Sequence, residues 1–264
     1  MSQEYAAGMK PLILLFACGL SAAAAAETLT VGIGDQAFPP YKVGNDTLDP
    51  RRPGLSVELV LAAARSCRLK ADIRLLPGAR LLKALENNAV DTAMMLSYTA
   101  DRAAYAVFPL RNGKPDEARR LATLSYSLYV RRDSDVRWDG KKLSNLQRSV
   151  GTNAGWSINK DLQKLGIPAE TANSVEQNFD KLANKRIDAY AVHETLGDAY
   201  LASNPALPVR KLALPISTKP YFLPVSRRYA ASHPRQVDCL WSAIASLRDD
   251  LTRRRIRFYL DAGG

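Results

Sequence analysis

The sequence predicts an α/β protein of two lobes, each a mostly parallel sheet flanked by helices, joined by two extended crossovers. The first observation is a strand–helix–strand–helix–strand order between Leu29 and Leu96. The second is a repeat of this strand and helix alternation from Ser149 onwards. The third is a pair of extended segments, Tyr126–Val130 and Pro215–Pro220, which we interpret as the crossovers. Because strands that alternate with helices pair in parallel, this order predicts a parallel sheet in each lobe.

In the first lobe, the β-branched run Leu29–Ile33 predicts the first strand. Gly54 begins a segment whose apolar residues recur at helical spacing, which predicts a helix. Ala71–Leu76 predicts the second strand and is followed by a second helix. Val90–Leu96 is mostly apolar and predicts a buried strand, which the hydroxyl residues Ser97–Thr99 end. In open α/β sheets ligands bind where strands end, so the loop after this strand is a candidate site.

In the second lobe, Ser149–Thr152 predicts a short strand, and a tight turn leads to a helix that Ser157 can cap. Backbone N–H groups at the start of this helix would favour an anion. Ile187–Val192 predicts the next strand and Leu207–Leu214 another.

After the return crossover, two helices, Pro234–Arg248 and Leu251–Leu260, complete the first lobe, which is therefore discontinuous. The predicted limits are residues 27–126 plus 219–264 for the first lobe and 127–218 for the second.

Residues 1–26 predict a secretory signal peptide. A basic start at Met9-Lys10 precedes a short apolar run and the alanines Ala22–Ala26, which contain an Ala-x-Ala cleavage site. The apolar run is too short to span a membrane. We therefore expect a mature protein that begins at Glu27 and lies in the periplasm.

The cysteines leave two questions open. Cys18 stands in a loose match to a lipoprotein box, so lipidation is an alternative to ordinary cleavage. Cys67 and Cys239 remain in the mature chain, and an oxidising compartment permits a disulfide between them. Two buried free thiols on apolar helix faces are the other interpretation.

The composition argues against several classes of function. The net charge is +11, but the basic residues are spread along the chain without the aromatic interleaving of a nucleic-acid surface, so we expect no nucleic acid partner. The two histidines, His193 and His233, are far apart in sequence, and we expect neither a metal nor a cofactor. No phosphate-binding loop, dinucleotide fingerprint or Gly-x-Ser-x-Gly motif is present in the sequence.

The stretch from Val90 to Phe108 carries a recognisable pattern. It reads Val-Asp, an apolar strand, Ser-x-Thr-x-x-Arg and then Phe108-Pro109. This resembles the signature loop of the family 3 periplasmic solute-binding proteins of the polar amino-acid type, and the resemblance extends over almost the whole mature chain. It implies the type II two-lobe periplasmic binding protein fold. It also implies a monomer that captures a small carboxylate ligand, an amino acid or related organic acid, for the membrane subunits of an ABC importer or for a sensor.

The resemblance also assigns site residues. Arg102 would hold the ligand carboxylate with its planar fork, helped by the hydroxyl and backbone of Ser97. Aromatic residues after the first strand stack on the ligand in this family, and Phe38 and Tyr41 take those places. In Gly155-Trp156-Ser157, the Gly and Ser match positions that touch the carboxylate from the second lobe. Trp156 departs from the pattern and would add a second aromatic wall.

Three further positions leave alternatives open. Arg80 follows a strand end, where a divergent branch of the family has an Arg, and either contacts the ligand or lies on the surface. Amino-acid binders usually place an Asp where this chain has His193, to pair with the ligand ammonium. An imidazole cannot replace a carboxylate in that role. Either Glu194 takes the role, or the ligand has no ammonium.

A different function on the same fold is the alternative hypothesis. Cyclohexadienyl dehydratases resemble these binding proteins and use an acidic residue in the cleft to eliminate water and carboxylate from prephenate or arogenate. Glu194 or His193 would be the general acid here. A free-standing sensory binding protein is a further alternative. We favour a binding protein over an enzyme, because neither residue belongs to a catalytic motif.

Overall fold

The computed structural model of the protein describes residues 27–260. The predicted signal peptide and Cys18 lie outside the described residues. Within this part of the chain, every helix is too short or too polar to cross a membrane. The strands are β1 (Glu27–Gly34), β2 (Leu69–Leu76), β3 (Thr92–Ala93), β4 (Leu96–Ser97), β5 (Ala106–Val107), β6 (Leu110–Arg111), β7 (Lys114–Pro115), β8 (Ala122–Arg131), β9 (Arg137–Trp138), β10 (Leu143–Ser144), β11 (Val150–Asn153), β12 (Ala169–Ala172), β13 (Ala189–His193), β14 (Val209–Lys211), β15 (Ser217–Phe222) and β16 (Val225–Ser226). The helices are α1 (Leu55–Ser66), α2 (Gly78–Glu86), α3 (Ala100–Ala103), α4 (Ile158–Lys164), α5 (Val175–Ala183), α6 (Glu194–Ser203), α7 (Arg227–Ser232) and α8 (Pro234–Leu260).

Two main sheets carry the two lobes, as the sequence predicts. The first has the order β2-β1-β3-β16-β5, and the second has the order β12-β11-β13-β8-β15-β4, with β14 beside β8. The pairs of β1 with β2 and β3, and of β11 with β12 and β13, are parallel. The other pairs in these sheets are antiparallel. The α/β class is confirmed, but the sheets are mixed rather than mostly parallel, since the crossover strands and β16 add antiparallel pairs.

The two predicted crossovers are neighbouring strands. β8 and β15 run antiparallel, with Tyr126 opposite Ser217 and Ala122 opposite Tyr221. β8 is longer than the predicted Tyr126–Val130 and begins among the residues of the first lobe. The residue limits of the two lobes stay a prediction, but this pair of strands lies where the chain passes between the sheets.

The core of the first lobe forms between β1 and the helices α1 and α8. The helical spacing that predicts α1 places Val57 and Val60 against the sheet, and both are fully buried. Leu240 and Ile244 of α8 join the same cluster. Each such side chain contributes about 1.5–3 kcal/mol when buried.

A disulfide ties the same two helices together. Cys67 follows α1 directly and Cys239 lies in α8, with their Cα atoms 5.9 Å apart. Of the two interpretations that the sequence left open, the structure has the bridge.

Several predicted elements differ from those observed. Val90–Leu96 is not one strand, because Met95 has a φ of 59° and breaks it into β3, which pairs with β1, and β4, which pairs with β15. Pro234–Leu260 is one continuous helix, because its interior contains neither Gly nor Pro. The strand predicted over Leu207–Leu214 is limited to Val209–Lys211. The sequence analysis also missed α7, which Ser226 caps by accepting a hydrogen bond from Tyr229 N.

Candidate functional site

A cleft lies between the lobes, at the ends of β1, β4 and β13 and at the turn after β11. This is the edge at which ligands bind in open α/β sheets. Most of the lining is aromatic or aliphatic, and the lining residues with charged, polar or aromatic side chains are Asp35, Gln36, Phe38, Lys42, Arg102, Tyr126, Trp156, Ser157, His193 and Tyr221.

Arg102 joins the two walls of the cleft. Thr99 caps α3 by accepting from the backbone N–H of Arg102, which fixes the start of this side chain. The Nη1 group donates to the carbonyl oxygen of Ser97 at 2.8 Å and to its hydroxyl at 3.2 Å, and Nη2 donates to the carbonyl of Gly155 at 2.9 Å. The side chain is only 7% exposed. Of its five N–H donors, one on Nε and one on Nη2 have no partner within residues 27–260, and guanidinium donors of this kind suit a carboxylate.

Four hydroxyl groups surround this guanidinium, and they belong to Ser97, Ser157, Tyr126 and Tyr221. Burial raises the pKa of Tyr221 to about 12, although the hydroxyls of Tyr126, Ser157 and Ser97 and the charge of Arg102 act in the other direction. Burial also raises the pKa of Tyr126. Both tyrosines are therefore protonated at neutral pH and can donate a hydrogen bond to an anion.

Lys219 brings a second cation close to this polar end. It lies in β15, donates to the hydroxyl of Ser157 at 3.3 Å and forms an ion pair with Asp161 of α4. Burial lowers the pKa of Lys219, Asp161 opposes this change, and Arg102 adds to it. Two cations, Arg102 and Lys219, thus lie close to this end of the cleft, and the carboxylate of Asp161 is already engaged by Lys219.

His193 lies at the centre of a cluster of rings. Its imidazole stacks on Tyr126 with ring centroids 4.0 Å apart, and Phe38, Trp156 and Tyr221 lie within 5.0–5.2 Å. The Tyr221 hydroxyl lies 3.2 Å from Nε2. Burial lowers the pKa of His193 to about 3. The nearby backbone of Ser125 acts in the opposite direction, and the charge of Lys219 adds to the decrease. The imidazole is therefore neutral at pH 7.

Most of the predicted site residues meet in this cleft. Six line it, namely Phe38, Arg102, Gly155, Trp156, Ser157 and His193. Ser97 is buried behind Arg102 and bonds to it.

Three predicted residues do not reach the cleft. Tyr41 packs behind Phe38, with ring centroids 5.5 Å apart. Arg80 lies exposed on α2. The carboxylate of Glu194 turns to Lys211 at 2.7 Å, because Glu194 is the first residue of α6 and its side chain leaves the strand that positions His193.

The turn between β11 and α4 is held by a buried polar network. Asn153 accepts from the hydroxyl of Tyr190 at 2.6 Å, and Asn178 donates to the carbonyl of Thr152 at 3.0 Å. Gly155 has a φ of 77°, a conformation that favours glycine, and its carbonyl accepts from Arg102. Ser157 directly precedes α4, at the capping position, but its hydroxyl accepts from Lys219 instead of capping the helix as expected.

The sequence analysis missed four residues of the cleft region. Tyr126 and Tyr221 are adjacent only because the crossovers pair, and Lys219 joins them for the same reason. Lys42 is 1% exposed, and its ammonium donates to the backbone carbonyls of Asp35, Gly44 and Asn45. Burial lowers its pKa to about 8. A basic residue in an apolar loop was the available signal for Lys42.

The arrangement offers hydrogen-bond donors and positive charge at one end and ring surfaces at the other. Such a cleft can hold a small acid with a flat or apolar body. Within residues 27–260, no group of three or more His, Cys, Asp or Glu side chains could hold a metal ion.

No protein-family model matches the chain, and no curated protein matches it in sequence. Solved structures do resemble it. A histidine kinase sensor domain with similarity to periplasmic binding proteins has a TM-score of 0.71 and 20% identity, over 89% of this chain and 96% of that one. The arginine-, lysine-, histidine-binding protein ArtJ from Geobacillus stearothermophilus has a TM-score of 0.70 and 14% identity, over 89% and 96%. The substrate-binding protein of an amino acid ABC transporter has a TM-score of 0.66 and 19% identity, over 89% and 99%. The two-lobe α/β fold of periplasmic binding proteins is thereby confirmed.

Proposed function

We propose that this protein is a periplasmic solute-binding protein that captures a small carboxylate-bearing ligand, an amino acid or related organic acid, in the cleft between its lobes. The observation that carries the proposal is Arg102. Its guanidinium is buried, bonds to both walls of the cleft, and keeps one donor on Nε and one on Nη2 for a carboxylate. The hydroxyls of Ser157, Tyr126 and Tyr221 would complete the anion site, and Phe38 and Trp156 would contact the body of the ligand.

Binding would be coupled to closure of the lobes. The donors come from both lobes, so a ligand gains all of its contacts only when the cleft is shut. β8 and β15 are the two connections about which such a motion would occur. A ligand that binds the closed form better shifts the population towards it, and a partner that docks on the closed form detects the ligand.

The partner is either the membrane subunits of an ABC importer or a sensor protein. The likeness to the binding protein of an amino acid ABC transporter supports the first, and the likeness to a histidine kinase sensor domain supports the second. Both use the same event, closure around a small solute, so the proposed role of the cleft does not depend on the choice.

The dehydratase alternative has less support from the geometry. Glu194 is engaged by Lys211, and the pKa of His193 near 3 means that its ring carries no acidic imidazolium at pH 7. Incubation with prephenate, followed by a search for phenylpyruvate, tests this alternative directly. Formation of phenylpyruvate would replace the binding proposal with the enzymatic one.

A thermal-shift screen with calorimetry tests the proposed function. The protein is first unfolded and refolded to remove co-purified ligand, and then mixed with amino acids, dicarboxylates and aromatic acids. A ligand at one hundred times its Kd adds about 2.7 kcal/mol to the free energy of unfolding. We expect at least one carboxylate to raise the Tm by a few degrees.

Arg102 variants then test the site. Arg102→Ala should abolish binding of that carboxylate, and Arg102→Lys should leave a weakened site, because an ammonium lacks the planar fork. Arg80→Ala is the matched control, since Arg80 is exposed outside the cleft and its removal should leave the affinity unchanged. Undiminished affinity in Arg102→Ala would overturn the assignment.

A further inference from the structure

We propose that the cleft selects acids that carry no ammonium group beside the carboxylate, and that His193 is the residue that sets this selectivity. The inference rests on the proposed function and narrows its ligand class. Two observations support it. One is the distribution of charges around Arg102, and the other is that the imidazole of His193 occupies the space between the aromatic rings of the cleft.

The polar end of the cleft is rich in donors and positive charge. Arg102, Tyr126, Tyr221 and Ser157 all line the cleft, and the ammonium of Lys219 donates to the hydroxyl of Ser157. All of these groups suit a carboxylate. An ammonium two bonds away from that carboxylate would lie close to two cations, and it would need an acceptor to offset the repulsion.

Two carboxylates of this region are engaged by lysines, and a third, that of Asp35, lines the cleft on the Lys42 loop. Asp161 pairs with Lys219, and Glu194 pairs with Lys211 at 2.7 Å. Asp35 is the one carboxylate among the described lining residues, and it lies on the same loop as the buried ammonium of Lys42, close enough to act on the pKa of that lysine.

The backbone acceptors near Arg102 are engaged as well. The carbonyl oxygens of Ser97 and Gly155 both accept from its guanidinium. An α-ammonium beside the bound carboxylate would therefore have to share these two carbonyl oxygens with Arg102.

Binding of an ammonium by the faces of the rings is also disfavoured. Rings can hold a cation when they enclose an empty space. Here the imidazole of His193 fills the space between the rings, stacked on Tyr126 at 4.0 Å and close to Phe38 and Trp156. The imidazole is neutral, so it offers no charge to compensate that of an ammonium.

Matched ligand pairs test the inference on the unaltered protein. Each pair shares one carbon skeleton and differs only in the α-ammonium: 3-phenylpropanoate with L-phenylalanine, glutarate with L-glutamate, and 4-methylpentanoate with L-leucine. We expect the acid without the amine to bind at least tenfold more tightly in any pair that binds, measured as Kd by calorimetry. Equal or tighter binding of the amino acid would overturn the inference and leave the proposed function standing. Failure of all six, together with the wider carboxylate screen, would overturn the proposed function itself.

Two substitutions of His193 test the residue. His193→Asp places a carboxylate among the rings and should reverse the preference within a pair, towards the amino acid. His193→Asn removes the ring that fills the cluster without adding a charge, and should narrow the preference for the acid without reversing it. Thermal melts of both variants establish that they fold, and the ligand pairs on the unaltered protein do not depend on either one. An unchanged preference in a folded His193→Asp variant would overturn the role given to His193.

Discussion

The Nη2 group of Arg102 donates a hydrogen bond to the carbonyl oxygen of Gly155 at 2.9 Å, which joins α3 of the first lobe to the turn before α4 of the second. An exposed ion pair between Asp101 and Lys160, also 2.9 Å long, connects the same two helices. The described conformation is thus one in which the walls of the cleft touch, and the residues of this contact are those on which the ligand would act.

Substitution of Gly155 tests this contact. Gly155→Ala places a Cβ atom in a backbone with φ of 77° and 3.4 Å from Leu82 Cδ1, a side chain that lines the cleft. We expect a loss of about 1–2 kcal/mol in the free energy of unfolding, measured by urea denaturation. We also expect a higher Kd, and thus weaker binding, for the acid that the protein binds. Gly166→Ala is the matched control, because Gly166 has a φ of 66° with open space around its Cβ position. It should lose similar stability and keep the affinity. If both variants bind equally well, the turn does not shape the site.

Reduction of the disulfide should lower stability without changing the site. Cys67 and Cys239 are separated by 172 residues, and the chain-entropy model gives about 5 kcal/mol for a loop of this length. We expect the double variant Cys67→Ser, Cys239→Ser to show a large decrease in its urea midpoint. Ligand affinity should be retained, since both cysteines lie in the first lobe away from the cleft lining. A midpoint that does not change on reduction would contradict the bridge.

The burial of His193 should make stability depend on pH. Its pKa is about 3 in the folded state and 6.5 as the reference for the unfolded chain, so between these values the unfolded state binds a proton that the folded state does not. Stability should therefore fall as the pH falls from 6.5 to 3, by about 4 kcal/mol from this residue alone. Denaturation across this range should show a shallower fall in His193→Asn. Parallel curves for the two proteins would mean that the ring is hydrated in solution.

Lys42 should hold the loop that carries Phe38. Its ammonium donates to three backbone carbonyls, at 2.6 Å for Gly44 and 2.8 Å for Asn45. Lys42→Met leaves buried acceptors without a donor, and each costs about 1–3 kcal/mol. We expect lower stability together with weaker ligand binding, because Phe38 loses its support. Lys70→Met, at an exposed position of β2, is the control and should change neither quantity.

The sequence predicted the parts of the fold that depend on local patterns. The spacing of Val57 and Val60 identified α1, and the extended run at Tyr126–Val130 identified a crossover. It did not predict the break in Val90–Leu96, because the left-handed backbone of Met95 follows from the pairing of β4 with β15 rather than from local preference.

The candidate site divides in the same way. Arg102 and Ser97 are five residues apart, and the resemblance assigned both to the carboxylate site. The structure adds that Ser97 bonds to Arg102 itself, a contact within one loop. Glu194 and His193 are neighbours whose side chains separate at a strand-to-helix junction. Glu194, at the start of α6, turns away from the cleft and pairs with Lys211, a contact between distant residues that no local pattern reveals. Tyr126 and Tyr221 meet across paired strands, and such long-range contacts are absent from any local pattern.

The bridge between Cys67 and Cys239 also depends on the order in which the two lobes are completed during synthesis. The first lobe begins with β1 but needs β16 and α8, which are made after the whole second lobe. The second lobe is nearly continuous in sequence, so its sheet can form while α1 still lacks the helix that covers it. During this interval the thiol of Cys67 stays unpaired beside an incomplete core, until Cys239 has been synthesised. An oxidase or a chaperone that acts during this interval would therefore affect the yield of the bridged protein.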